Sequence, residues 1–191
     1  MTIPSPLAGE GRGEGGGVKM TSNIEIKARV KDRTAMQNRI ESFAGKHVEI
    51  LNQEDTFFCV PIGRLKLRIE DGGGQLIHYV REDMAGPKRS DYEIIRVTDA
   101  VGLKKVLAAA LGVRGIVKKR RRLYIYRNTR IHLDQVDGLG DFIELEVVQA
   151  ARGIKKINPE ARAEELMKEL GIMPEDLVDC AYIDLLEKEP R

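Results

Sequence analysis

Near the start of the chain Glu25 and Lys27 alternate with Ile24 and Ile26, and near its end Glu144 and Glu146 alternate with Ile143, Leu145 and Val147. Alternate residues of a strand share a face, so each segment has one apolar side and one charged side. The same spacing recurs between them: Lys66 with Arg68, Tyr79 with Arg81, Lys119 with Arg121, and Arg130 with His132 and Asp134. Carboxylates gathered on a concave surface could hold a hard metal ion, and Lys and Arg among them could neutralise a polyanion. Such a surface must be wet, because dry unpaired charges are prohibitively costly to bury. The competing arrangement is a sandwich whose charged faces meet solvent and whose apolar faces form the core. Alternation alone is compatible with both.

The elements that must carry these residues are short strands with a few helices between them. Strands are expected over 23–30, 48–60, 64–70, 75–82, 90–97, 115–127, 129–136 and 142–148. Asp71-Gly72-Gly73-Gly74 makes 64–82 a hairpin, and Asn128 and the Gly138/Gly140 pair mark later turns. Thr34 is placed to cap a helix running to about Gly45, with Met36, Ile40 and Phe43 on one face. Asp99 opens a second helix ending at Gly112, Asn158-Pro159 a third ending at Gly171, and 174–188 reads as a fourth. About eight mostly hairpin-linked strands predict an α+β fold built on a closed or nearly closed antiparallel β-barrel. The C-terminal helices, rich in Leu, are expected on its outside, with Lys155 or Lys156 near one mouth.

Composition sets wide bounds. A chain of 191 residues, 42% of them hydrophobic, fits one domain, and 32 Lys+Arg against 30 Asp+Glu say little about partners. Gly9, Gly11, Gly13, Gly15, Gly16 and Gly17, with Pro4 and Pro6, cannot build a core, so residues 1–19 are expected to be a disordered tail and 20–191 the domain, with Met20 an alternative start. Cys59 and Cys180 have no metal-ligand spacing and read as buried thiols in a reducing cytoplasm. No apolar run reaches membrane-spanning length and no signal peptide is evident. Lys118–Arg122 is a basic run, but on a strand it divides between two faces and lacks an aromatic stacking platform, so nucleic acid is not an expected partner. His78, opposite in parity to Tyr79 and Arg81, reads as a satisfied polar group.

The segments Asn23–Val30 and Asp134–Glu146 resemble the two ends of a CYTH domain, the family of class IV adenylate cyclases and thiamine triphosphatases, also called triphosphate tunnel metalloenzymes. Gln53–Phe58, Leu65–Arg68 and Gly86–Glu93 look similar to the family in the same order, so the resemblance covers residue 23 to the C-terminus. It implies an eight-stranded antiparallel tunnel and a metal-dependent enzyme acting on triphosphates.

By that resemblance Glu25, Asp134, Glu144 and Glu146 match ligands for Mg2+ or Mn2+. Lys27, Lys66, Arg68, Arg81, Lys119 and Arg121, with Lys88 of the Gly86–Glu93 segment, match the cations that grip the triphosphate, and Glu25, Lys27 and Arg121 are the candidate catalytic groups. The family opens on Glu-x-Glu-x-Lys; here Asn23 replaces the first acid, so one metal site is expected to be weaker or reorganised. His132, on the face of Asp134, is a candidate contact or a supporting residue. The implied substrates are ATP, tripolyphosphate or thiamine triphosphate. The activity expected first is conversion of ATP to cyclic AMP and pyrophosphate, with triphosphate hydrolysis second and a non-catalytic polyphosphate- or RNA-binding barrel third. A homodimer remains open.

Overall fold

The structure, a computed structural model, describes residues 21–70, 73–81, 83–148 and 158–188. The Gly/Pro-rich tail, Met20 and the Lys155/Lys156 pair lie outside the described residues. Eight strands are present: β1 (Thr21–Arg29), β2 (Glu49–Phe58), β3 (Arg64–Glu70), β4 (Gly73–Arg81), β5 (Lys88–Val97), β6 (Val113–Tyr126), β7 (Thr129–Val136) and β8 (Gly140–Val148). They close in the order β1-β5-β4-β3-β2-β6-β7-β8, every pairing antiparallel. The seam is the β1–β8 pair, which sets Glu25 opposite Glu146 and Lys27 opposite Glu144. The matched alternation of the two chain ends is therefore the closure of the barrel.

Charged faces point inward and apolar faces outward, which removes the sandwich alternative. The outward faces are buried by helices. On one side α1 (Arg33–Ala44) and α3 (Pro159–Leu170) bring Ile40, Ala163, Leu166 and Leu170 against Ile24, Ile26, Ile131, Leu133, Ile143 and Leu145. On the other, α2 (Ala100–Leu111) lays Leu103, Leu107 and Ala108 over Leu65, Leu67, Ile69 and Leu76. Each fully buried Leu or Ile contributes roughly 2 kcal/mol. Helix α2 lies so close that a Cβ on Gly74 would stand 2.4 Å from the Ala100 Cβ. The Gly73-Gly74 pair accordingly starts β4 instead of completing a turn.

Two helix expectations need correction. Asp32, not Thr34, caps α1, its carboxylate accepting from the Ala35 amide at 2.9 Å. Asp99 and Asn158 cap α2 and α3 as expected. Residues 174–188 are not one helix: a 3-10 turn (Pro174–Asp176) leads into extended chain, and only Tyr182–Lys188 is helical, as α4. The extended part continues the barrel edge, Leu177 bridging Ala28 and the Val178 amide donating to the Lys27 carbonyl at 2.9 Å.

This C-terminal segment does not cover the outside of the barrel with α3. It closes one end, packing Val178, Cys180, Ala181, Tyr182 and Ile183 against Phe57, Val117, Val136 and Phe142. The approach is tight, since a Cβ on Gly115 would lie 2.4 Å from the Ile183 side chain. Among the described residues no such segment packs across the opposite end, where β2 begins and β6 turns into β7. Cys180 is buried as expected, but Cys59 is exposed, because β2 ends at Phe58 and the next residue leaves the wall.

Candidate active site

Strand parity delivers the site. On β2 the inward residues are Leu51, Gln53, Asp55 and Phe57; on β3, Lys66, Arg68 and Glu70; on β6, Val117, Lys119, Arg121, Leu123 and Ile125. With Glu25 and Lys27 of β1, Arg81 of β4, and Glu144 and Glu146 of β8, they surround a cavity of about 460 Å3. Cations dominate the β3, β4 and β6 walls, and carboxylates dominate the β1–β8 seam. The basic run at Lys118–Arg122 divides as its parity requires. Lys119 and Arg121 point inward, while Lys118 reaches Glu54 on the outer surface and Arg122 donates to Gln37 of α1.

The interior charges neutralise one another in networks. Asp55 is shared by three cations, with Lys66 Nζ at 3.0 Å, Arg68 Nε and Nη2 at 2.7 and 2.8 Å, and Lys119 Nζ at 2.9 Å. Burial alone would push the Asp55 carboxyl up; the charges of Arg68, Lys119 and Lys66 outweigh it and hold it well below the usual carboxylate range. The cost falls on the lysines. Burial, reinforced by the Arg68 and Lys119 charges, brings Lys66 down to about 7, and burial lowers Lys119 as well.

A second network centres on Arg121, which forks onto Asp134 at 2.7 and 2.6 Å and also donates to Glu144. Glu144 lies 3.3 Å from Lys27 and 3.8 Å from His132 Nδ1. Burial would raise Glu144, but Arg121 and Lys27 hold it well below the usual range. Burial, with the Arg121 charge, lowers His132 against the pull of Glu144. Along the seam Glu25 pairs with Arg81 at 3.1 Å and Glu146 with Arg130 at 3.1 Å. Asn23 donates to Glu146 and to the Tyr92 hydroxyl at 2.9 Å.

The residues singled out by the sequence are placed as follows. Glu25, Lys27, Lys66, Arg68, Arg81, Lys119, Arg121, Glu144 and Glu146 line the one cavity. Asp134, fully buried, stands behind Arg121 and also accepts from the Tyr182 hydroxyl at 3.0 Å. Lys88 is turned from the cavity, its ammonium donating to the carbonyls of Met84, Val178 and Asp179 at 3.0 to 3.2 Å. It ties the closing segment to β5. His78 is satisfied by the Ile62 carbonyl at 3.2 Å.

Two residues were missed. Asp55 shows the same inward alternation as Gln53 and Phe57, and that parity could have found it. Tyr182 carries no periodic signal; its ring lies 3.8 Å from the Lys27 ammonium, a cation–π contact at the closed end.

A divalent cation is compatible with the seam. Among the described residues no three acid, His or Cys side chains converge as a ready ligand group; Glu25, Glu144 and Glu146 each turn to a basic side chain. Yet they are oxygen donors on adjacent strands, and Glu25 is short of positive charge. Burial, with the Glu146 and Glu144 charges, raises its carboxyl against the pull of Arg81. Hard oxygen donors with surplus negative charge are what Mg2+ or Mn2+ requires.

The sequence matches the CYTH domain over residues 21–182. The chain belongs to the CYTH family. A Methanocaldococcus jannaschii protein, provisionally named as an adenylate cyclase, is 24% identical over 177 residues, covering 85% of this chain and 97% of that protein. The PH1012 protein of Pyrococcus horikoshii superposes with a TM-score of 0.73 at 27% identity, covering 85% of this chain and 98% of its own. HpAC1 of Hippeastrum, provisionally named as an adenylyl cyclase and described as having a dominant triphosphatase activity, shares the fold with a TM-score of 0.62 at 15% identity, covering 87% and 95% of the two chains. Among the described residues no helix is long and apolar enough to cross a membrane.

Proposed function

We propose that this CYTH protein is a metal-dependent enzyme that breaks a phosphoanhydride bond of a triphosphate held inside the barrel. One observation carries the reading. Lys66, Arg68 and Lys119 converge on the single carboxylate of Asp55, so positive charge exceeds negative on that wall. A chain of phosphates entering from the end opposite the closing segment would share these cations, with Arg able to grip two oxygens at once and Lys acting as a point charge. Arg81, Arg121 and Lys27 continue the grip toward the seam, where Glu25, Glu144 and Glu146 would hold the metal. When bound, the metal offsets charge on the phosphate oxygens and the leaving group.

The protein's own part is orientation and the exclusion of water. Tyr182 and the segment around it block the far end, so a substrate stops where Arg121 and Lys27 meet the carboxylates. Asp134 fixes the Arg121 fork, and its burial with Tyr182 keeps that fork in one orientation. Glu25, on the inward face of β1, can accept a proton from the attacking hydroxyl.

The first reaction is cyclase chemistry. The ribose 3′-oxygen of ATP attacks the α-phosphorus, the bond to the bridging oxygen breaks, and pyrophosphate leaves with cyclic AMP as the other product. Hydrolysis is the second reading, favoured by the triphosphatase activity described for HpAC1, whose barrel this one resembles. There water attacks the terminal phosphorus, the bond to its bridging oxygen breaks, and the diphosphate end departs with orthophosphate as the other product.

The test uses the full chain with ATP, tripolyphosphate and thiamine triphosphate, with Mg2+ or Mn2+, products being resolved by chromatography and Glu144→Ala serving as control. Cyclic AMP and pyrophosphate that vanish in the control establish the cyclase; orthophosphate establishes the hydrolase. No turnover of any substrate leaves a polyanion-binding barrel.

A further inference from the structure

Where the Glu-x-Glu-x-Lys pattern of the family has its first acid, this chain has Asn23, one strand step from Glu25 on the same side of β1. The Asn23 side chain is fully buried, and its amide nitrogen gives one hydrogen to the Glu146 carboxylate and the other to the Tyr92 oxygen at 2.9 Å. An ionised carboxylate can only accept, so the nitrogen must face Glu146, and both amide hydrogens are then spent. The Tyr92 hydroxyl is thereby an acceptor toward Asn23 and keeps its own hydrogen for a second partner. Among the described residues Asn23 is its one hydrogen-bonded partner. The carboxylates nearby are turned elsewhere, Glu25 to Arg81 and Glu146 to Arg130. Tyr92 is half-buried on β5 and borders the cavity, so the spare hydrogen belongs to what fills that cavity.

An acid at position 23 would act against a phosphate in two ways. It would add negative charge to a seam that already holds Glu25, Glu144 and Glu146, repelling the anion unless a metal lay between. It would also accept the Tyr92 hydrogen and keep it within the wall. The amide does neither. It leaves the seam one charge less negative and, by donating, turns the Tyr92 hydrogen away from itself. Burial, with the Glu146 charge, raises the Tyr92 phenol above its ordinary value, so at neutral pH that hydrogen is in place.

We infer that Tyr92, oriented by Asn23, donates its hydroxyl hydrogen to a non-bridging oxygen of the bound triphosphate at the carboxylate seam. The inference rests on the proposed function and adds a contact to it. Tyr92 touches the ligand, and Asn23 is a positioning residue that acts through it. Across the barrel, Lys66, Arg68 and Lys119 hold the phosphates by charge. On the seam a cation is claimed by an acid, as Arg81 and Arg130 are, whereas a neutral hydroxyl that the acids do not engage remains available to the ligand.

The experiment is calorimetric titration of the full chain with tripolyphosphate at pH 7 in chelated, metal-free buffer, for wild type, Tyr92→Phe, Asn23→Asp and the double variant. Tyr92→Phe keeps the ring and removes only the donor, and it should bind about tenfold more weakly, the lower end for a hydrogen bond to a charged group. Asn23→Asp has the shape of the original side chain but accepts the Tyr92 hydrogen. Adding Tyr92→Phe to it should therefore change the affinity by less than about twofold. The charge that Asn23→Asp introduces weakens both members of that pair alike and cancels in their ratio. A tyrosine that merely packed would show the same loss in both backgrounds, and a tenfold loss in both overturns the inference. An unchanged affinity in Tyr92→Phe overturns it too, and needs no Asn23→Asp should that variant fail to fold. Either result leaves the proposed function standing. Failure of wild type to bind tripolyphosphate overturns the proposed function itself, and the inference with it.

Discussion

Binding of a polyanion should draw a proton onto Lys66. Its ammonium is largely shielded beside Arg68 and Lys119, with Asp55 as its one hydrogen-bonded carboxylate among the described residues, and it titrates at about 7 instead of near 10.5. At pH 8 the fraction still charged is about 1/(1 + 10), or roughly 0.09. A triphosphate adds several negative charges and returns the amine toward its ordinary value, so about 0.9 proton is taken up per ligand bound at Lys66. The affinity it contributes should fall about tenfold, or ~1.4 kcal/mol, for each pH unit between 7 and about 10. The assay is calorimetric titration of tripolyphosphate in metal-free buffers of different ionisation enthalpy at pH 8. Lys66→Arg is the reference, because a guanidinium stays charged throughout. The ligand's own protonation enters both proteins alike, and so does Lys88, whose amine titrates at about 8 but faces away from the cavity. Wild type should take up close to one proton more than the variant. Equal uptake by the two proteins would refute the assignment of a neutral Lys66 facing the ligand.

The same shift has a stability consequence of definite sign. With a lowered folded-state value, Lys66 binds fewer protons than in the unfolded chain between about pH 7 and 10.5. Its charging therefore penalises the unliganded fold fully below pH 7, and the penalty is relieved as pH rises through that window. Relative to Lys66→Met, wild type should gain stability from pH 7 to 9.5 in denaturant titrations, and a loss would contradict the sign.

Three further outcomes can be checked. Asp55→Asn leaves three clustered cations without their counter-ion, so the unliganded protein should lose about 3 kcal/mol in urea unfolding and regain much of it with tripolyphosphate, more than wild type gains. Asn23→Glu sets a carboxylate against Glu146 where an amide now donates to it; metal-free thermal stability should drop and Mg2+ or Mn2+ should bind more tightly, and an unchanged metal dependence would remove Asn23 from the metal site. Tyr182→Phe deletes the hydroxyl that donates to Asp134 behind Arg121; turnover should fall about tenfold at nearly unchanged KM, whereas a rise in KM alone would make Tyr182 a substrate contact.

Alternation made the strands and their charged faces legible, but it is symmetric between inside and outside. What breaks the symmetry is the helices: Ile40, Leu166, Leu170 and Leu103 need apolar surface to cover, and the continuous apolar side of the strands is the one opposite the charges. The resemblance gave most of the charged residues that line the cavity, because each lies in a strand whose parity is fixed by its neighbours. Asp55 was not singled out although it shares that parity, and its three cationic partners come together only in the folded barrel. Lys88 lies on an inward parity too, yet the end of β5 brings it to the carbonyls of the closing segment. The closing segment itself was the least legible part. Its extended shape comes from the Lys27 carbonyl and the bridge to Ala28, contacts with residues about 150 positions away that leave no local periodicity.

Placing the acids on the seam couples the site to the fold. Glu25 and Glu146 face each other only when β1 and β8 pair, and Lys27 meets Glu144 through the same pairing. An open sheet would leave the acids of β1 and β8 on opposite edges, unable to share a metal or restrain the cations between them. A closed barrel brings four charges from the two ends of the chain into one place, at a desolvation cost that the networks offset only in part, as the lowered Lys27 and Lys66 and the raised Glu25 record. The residual imbalance favours the ligand. A metal would relieve Glu25 and a polyanion would relieve Lys66, so in the proposed function each partner would sit where the unliganded protein is least comfortable. Binding the two together stabilises both walls, and for that reason metal and triphosphate should each raise the affinity for the other.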